Sequence, residues 1–257
     1  MKPGPPFFGR ALINTDKKVG IAIYEWLETC PVGHDELAVR SIIDKIQKAG
    51  SKWLNEQDIV LYAIAVDRFL STLHLEDLYQ IDEMSFRINR FTEKPHLGIR
   101  ETHPMVELQR ILMCSELKGW AIAKDVLSRL RMVIRMALKL GTPNPELVQF
   151  CHGDLKARHI LKCDEQIFAL DTEQSVFAVG SLDLGIWAST RIVHGMSSFD
   201  AVNSIKRISR SEDEALTALQ WLVYSLAFGY LVRVHHGDME KPTKMIMRIL
   251  YDLSLSM

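Results

Sequence analysis

Residues 151–161 read CHGDLKARHIL. A histidine, a glycine and an acid stand in a row, Lys156 follows two places on, and His159 comes immediately before two aliphatics. Such a stretch is either an ordinary loop entering a strand or a loop that holds a reacting group beside a metal, and its flanks discriminate between the two. Upstream, GTPNP at 141–145 stops a helix, because proline lacks the N–H donor and restricts the residue before it. Residues 147–151, 159–162, 166–171 and 175–178 then read as short extended segments, the third containing the apolar run IFAL closed by Asp171. A reversal at 164–166 returns Asp171 toward the loop that holds Asp154. Two carboxylates are therefore expected to converge on one cleft, about 4 to 8 Å apart.

Phosphoryl transfer needs an acid to orient and deprotonate the accepting hydroxyl, further ligands for magnesium, and a cation near the moving group. Residues 151–171 offer all three in Asp154, in Asp171 with His159, and in Lys156. Glu173 adds a third acid, which either supports a metal through water or is simply solvated. A neutral His152 can donate one hydrogen bond and accept another, pinning the backbone of the loop. Taken singly, each residue has an ordinary reading. Asp154 suits a turn, Asp171 a strand end, Lys156 and Arg158 a solvated basic edge, and His159 a hydrogen-bonded core position. Their joint occurrence, with His159 five places after Asp154 and an acid closing the next strand, favours a site.

The chain has 257 residues, room for one large domain or one domain with a small appendage. Its 31 basic and 32 acidic residues leave a formal charge of -1 with no block of one sign, so nucleic acid is not an expected partner. No apolar run reaches about 18 residues and no signal peptide is evident, so no membrane partner is expected and the localisation expected is cytoplasmic. Cys30, Cys114, Cys151 and Cys163 are widely spaced, which argues against a zinc knuckle and a disulfide scaffold. Residues 7–13 and 19–27 flank NTDKK and read as a hairpin, after which Pro31 and Gly33 break the pattern. Amphipathic helices are expected over 36–49 and 58–73. Residues 76–103 read as loop with short helical pieces, and 106–140 as helix divided or bent at Gly119. From Leu182 onward the pattern is mainly helical, most clearly at 214–233 and 244–253. VHHGDM at 234–239 repeats the letters HGD, but neither an apolar strand nor a strand-closing acid follows, so His236 and Asp238 read as a helix-end loop.

HGDLKARHIL, IFALDTE and SLDLG together resemble the catalytic segment of the aminoglycoside phosphotransferase and choline kinase-like family of the protein-kinase-like superfamily. The resemblance implies an α+β, protein-kinase-like fold. In it, residues 1–30 form a residual small-lobe hairpin and hinge, and 31–257 form a mainly helical large lobe with its catalytic loop at 151–171. It implies that Asp154 is the catalytic acid, that Asp171 is the principal metal ligand, and that His159 stands where the family usually carries a metal-binding asparagine. Macrolide phosphotransferases are similar in having a histidine there. Lys156 is implied near the transferred phosphoryl group, His152 as a support of the catalytic loop, and Asp183 as a structural aspartate tying the following helix to that loop. GIAIYEWLETCPVG is similar to the family's second strand and hinge, which sets Ile23, Glu25 and Trp26 against a nucleotide base. The implied cofactors are ATP, or another nucleoside triphosphate, and Mg2+, and the implied acceptor is a hydroxyl of a small molecule.

Placed in this way, six residues precede the first hairpin strand, and no Gly-rich phosphate loop is seen. Lys17 and Lys18 lie in the hairpin turn and are poor substitutes for a lysine held over a nucleotide. A minimal hairpin is thus expected in place of a full small lobe. An alternative to an active enzyme follows: a catalytically weak or inactive kinase-like remnant, or one subunit of a split enzyme. Its open strand edge would be completed by a homodimer mate or a partner protein. The acceptor itself is not legible, since acids such as Glu76, Asp77, Glu212 and Asp213 are scattered.

Overall fold

The computed structural model describes residues 30–51, 103–105, 107–108, 124–144, 147–171 and 175–235. The hairpin expected at 7–13 and 19–27, with Ile23, Glu25 and Trp26, lies outside these residues, as do the helices expected at 58–73 and 244–253, the bend at Gly119, Glu173, and the stretch with His236 and Asp238.

The architecture is α+β, with two small antiparallel sheets set among helices. In the first sheet β1 (Cys30–Pro31) pairs with β3 (Ile160–Cys163), which pairs in turn with β4 (Gln166–Ala169). In the second, β2 (Val148–Cys151) pairs with β5 (Val176–Val179), Val148 opposite Val179 and Cys151 opposite Val176. The β3–β4 reversal uses Asp164, at a φ of 49°, a left-handed value that aspartate tolerates better than most side chains. Residues 29–35 were expected to interrupt the pattern, yet Cys30 and Pro31 form a strand. Pro31 is tolerated because β1 is an edge of this sheet among the described residues, and the next ladder bond comes from the Val32 N–H to the Ile160 carbonyl at 3.0 Å.

Helix α1 (Glu36–Gly50) is capped by the Asp35 carboxylate, which accepts the Leu37 N–H at 2.9 Å. It buries Ala38, Val39, Ile42 and Ile43, the spacing of one helical face. At its end Gly50 lies against the Phe150 side chain, where an added Cβ would stand 2.0 Å from Phe150 Cβ. Helix α2 (Lys124–Lys139) buries Leu130, Val133, Ile134 and Ala137, and Gln220 donates to the Ala137 and Gly141 carbonyls at its carboxyl end. Helices α3 (Leu182–Val193), α4 (Ser198–Ile208) and α5 (Glu212–His235) complete the body. Ser197 caps α4, and at the start of α5 the Ser211 hydroxyl accepts the Glu214 N–H while the Glu214 carboxylate accepts the Arg210 N–H.

The main core gathers Ile42, Leu155, Ile160, Trp187, Ile205 and Leu222 from α1, the loop after β2, β3, α3, α4 and α5. The loop between β2 and β3 is thus anchored by its own apolar residue, Leu155, which is fully buried. Arg40 of α1 reaches Glu214 of α5 at 2.7 Å and ties the two ends of the described chain together. No helix among the described residues is long and apolar enough to cross a membrane.

Candidate active site

The chain passes twice between the two sheets, once from β2 to β3 through residues 152–159 and once on leaving β4 at Leu170 and Asp171. Pairing Cys151 with Val176 and Ile160 with Ala169 draws both passages to the same place. Asp154 and His159 stand on the first and Asp171 on the second. One ligand atom from each lies within 4.8 Å of the others, so the two carboxylates stand no farther apart than expected. His159 is buried, whereas the Asp171 side chain is 52% exposed, so the cluster opens to solvent on the Asp171 side. Asp171 adopts a φ of 63°, a left-handed turn that ends the strand run.

The first passage is held by hydrogen bonds rather than by regular structure. The Asp183 carboxylate, in the first turn of α3, accepts the His152 N–H at 2.8 Å and the Gly153 N–H at 2.9 Å. Gly153 sits at a φ of 81°, where a side chain would be strained. The His152 ring faces the Leu170 carbonyl through Nε2 at 2.6 Å, and its Nδ1 faces the Asp154 N–H at 3.3 Å. A carbonyl can only accept, so Nε2 carries the proton and Nδ1 accepts. His152 therefore bridges the residue before Asp171 to Asp154 itself. The Leu170 N–H also donates to the His159 carbonyl at 2.9 Å, which closes the second link between the two passages. Burial pushes the Asp183 carboxyl above its ordinary value, against the pull of the His152 and Gly153 amides.

His159 ends a 3-10 turn, Ala157–His159. Its Nδ1 donates to the Asp154 carbonyl at 3.0 Å, which leaves an unprotonated Nε2. That nitrogen faces Asp171 Oδ2 at 3.9 Å and accepts from Arg158 Nε at 3.2 Å. Burial holds the imidazole below its usual range, the Asp154 carbonyl and carboxylate offset part of this, and Lys156 and Arg158 add to it. Lys156 Nζ sits 2.5 Å from Asp154 Oδ2, a charge-assisted contact that aims the carboxylate.

The structure thus brings Asp154, Lys156, His152, His159 and Asp171 to one place, and Asp183 behind them. Arg158, taken in the sequence as a solvated edge, is exposed, but its Nε also donates to His159 Nε2, and no spacing signal announces that contact. Cys151, at the end of β2, is fully buried, and burial first, then the Asp183 charge, raises its thiol well above the ordinary value, so it has no nucleophilic role.

A divalent metal fits the cluster on its donor chemistry. Two carboxylates and an imidazole nitrogen with its lone pair turned to the cleft offer three ligands, and the exposed side leaves room for water and phosphate oxygens.

No family model matches the sequence, and no curated protein matches it. Solved structures similar to this chain include the choline kinase LicA from Streptococcus pneumoniae, at 14% identity and a TM-score of 0.44, with 96% of this chain and 75% of that one covered. LicA in complex with AMP is similar at 14% identity and a TM-score of 0.43, with 97% and 74% covered. A choline/ethanolamine kinase family protein from Mesorhizobium loti is similar at 12% identity and a TM-score of 0.38 over 63% of this chain. The match spans 57% of that protein's length.

Proposed function

We propose that this chain is a kinase-like phosphotransferase of choline kinase-like fold, moving the terminal phosphoryl group of ATP or a related nucleotide to a hydroxyl of a small molecule. The observation that carries the reading is the convergence of Asp154, His159 and Asp171 on a loop braced by His152 and Asp183. Asp154 orients the acceptor hydroxyl and takes its proton as the oxygen attacks phosphorus. Asp171 and His159 hold the divalent ion, which when bound neutralises charge on the phosphate oxygens. Lys156 exchanges its contact with Asp154 for the transferring phosphoryl group, placing a cation where negative charge builds. The nucleotide base lies against Ile23, Glu25 and Trp26 in this reading.

The test is nucleotide turnover in the presence of Mg2+ with a panel of small alcohols, including the slow transfer to water. Asp154→Asn is expected to lose most turnover while keeping nucleotide affinity, whereas Asp171→Asn loses metal-dependent nucleotide binding as well. Undiminished turnover in the Asp154 variant would overturn the assignment.

A further inference from the structure

We infer that the cluster selects a divalent ion of the first transition row, of the Mn2+ class, over Mg2+, and that His159 is the selecting ligand. The inference rests on the metal reading proposed above. The ligands in that reading are the His159 nitrogen and an Asp171 oxygen, with Asp154, the base, gathered beside them. Among the described residues no other group of three or more such side chains is gathered in this way.

The nitrogen is presented, not merely nearby. Donation from Nδ1 to the Asp154 carbonyl at 3.0 Å fixes which ring nitrogen keeps its lone pair, and that nitrogen faces Asp171 Oδ2 at 3.9 Å. The ring cannot easily withdraw. The His159 N–H donates to the Lys156 carbonyl at 2.8 Å, its carbonyl accepts from Leu170 at 2.9 Å, and the residue is 7% exposed. This is the outer-sphere arrangement that orients a ligating imidazole. Mg2+ is hard, takes oxygen ligands and keeps its water, whereas imidazole raises affinity for transition ions relative to it. A site that turns a fixed imidazole into its cleft therefore discriminates against Mg2+. Arg158 Nε is the group that the ion displaces, and its exposed side chain can leave.

The experiment uses the full chain and Mn2+ as the probe, followed by electron paramagnetic resonance and with Mg2+ as competitor. Bound Mn2+ is expected to show nitrogen modulation of its echo in the wild type. His159→Asn keeps an N–H for the Asp154 carbonyl and substitutes an amide oxygen. It should abolish the modulation and lower the preference for Mn2+ over Mg2+ by about tenfold or more. Bound Mn2+ without nitrogen modulation, or an unchanged preference in the variant, overturns the inference and leaves a carboxylate metal site standing. Absence of divalent binding with and without nucleotide overturns the proposed site along with it. The wild-type modulation needs no variant, so a folding defect in His159→Asn does not shield the inference.

Discussion

The Asp183 carboxylate accepts the backbone N–H of His152 at 2.8 Å, and its second oxygen takes the neighbouring Gly153 N–H at 2.9 Å. A helix start thereby holds the loop that carries Asp154, and it does so through a side chain that is 1% exposed. Asp183→Ala leaves the buried His152 N–H without its acceptor, a loss of about 1 to 3 kcal/mol for that group alone. Asp183→Asn turns an amide N–H toward one of the two backbone donors and is also expected to destabilise. Urea unfolding measures both, and a wild-type midpoint for Asp183→Ala would show that the loop finds other support.

Arg158 competes with a metal for His159 Nε2 and adds a positive charge beside it. Arg158→Ala removes both effects, so Mn2+ affinity in the absence of nucleotide is expected to rise roughly 2- to 10-fold, the scale of one net hydrogen bond. A titration that shows equal or weaker binding would mean that the arginine helps to hold the empty site in its ligating form.

Much of this site was legible because its chemistry is compact in sequence. Asp154, Lys156 and His159 fall within six residues, and a short reversal brings Asp171 back, so local turn and strand signals were enough to predict the convergence. What was not legible depends on contacts between distant segments. The reversal at 164–166 signals the pairing of the two runs beside it, but nothing signals that 147–151 pairs with 175–178, so the division into two sheets, with the site at both crossings between them, could not be read. Pro31 reads as a breaker because its missing N–H is visible in sequence, while its place at a sheet edge is not. The burial of His103 and Glu107 was equally hidden, since an acid and a histidine are polar residues whose burial no apolar period announces.

Gly33 lies where the chain leaves β1 and meets the loop after Asp154. A Cβ there would stand 2.0 Å from the Ala157 carbonyl oxygen, backbone against backbone, and the Gly33 carbonyl already accepts from Trp187 Nε1 at 2.7 Å. Gly33→Ala is expected to cost about 1 to 3 kcal/mol and to shift the 3-10 turn that presents His159. Gly229, inside α5, meets nothing within 4 Å of its added Cβ. Gly229→Ala should therefore stabilise by about 0.5 to 1 kcal/mol through helix propensity. Thermal denaturation of the pair tests the contrast. Equal effects at the two positions would contradict the close approach at Gly33.

Glu107 and His103 lie one helical turn apart, the Glu107 N–H donating to the His103 carbonyl at 3.1 Å, and both side chains are buried. Burial pushes the Glu107 carboxyl up to about 7, against a smaller opposite pull from the Tyr224 hydroxyl. Burial likewise pushes the His103 imidazole down to about 4, partly offset by the Pro143 carbonyl. Between 4.5 and about 7 the native protein holds a proton on Glu107 that the unfolded chain has released, so this group lowers stability as pH rises. Between about 4 and 6.5 the unfolded chain holds a proton on His103 that the native protein lacks, so this group raises stability as pH rises. The windows overlap and the slopes oppose, which makes the pair nearly silent in the wild type. Relative to wild type, Glu107→Gln should gain stability between pH 5 and 7, and His103→Gln should lose it, each on the order of 2 to 3 kcal/mol. Urea midpoints at the two pH values read the difference directly. Profiles for Glu107→Gln and wild type that run parallel would show that the carboxyl titrates in the native protein as it does in the unfolded chain.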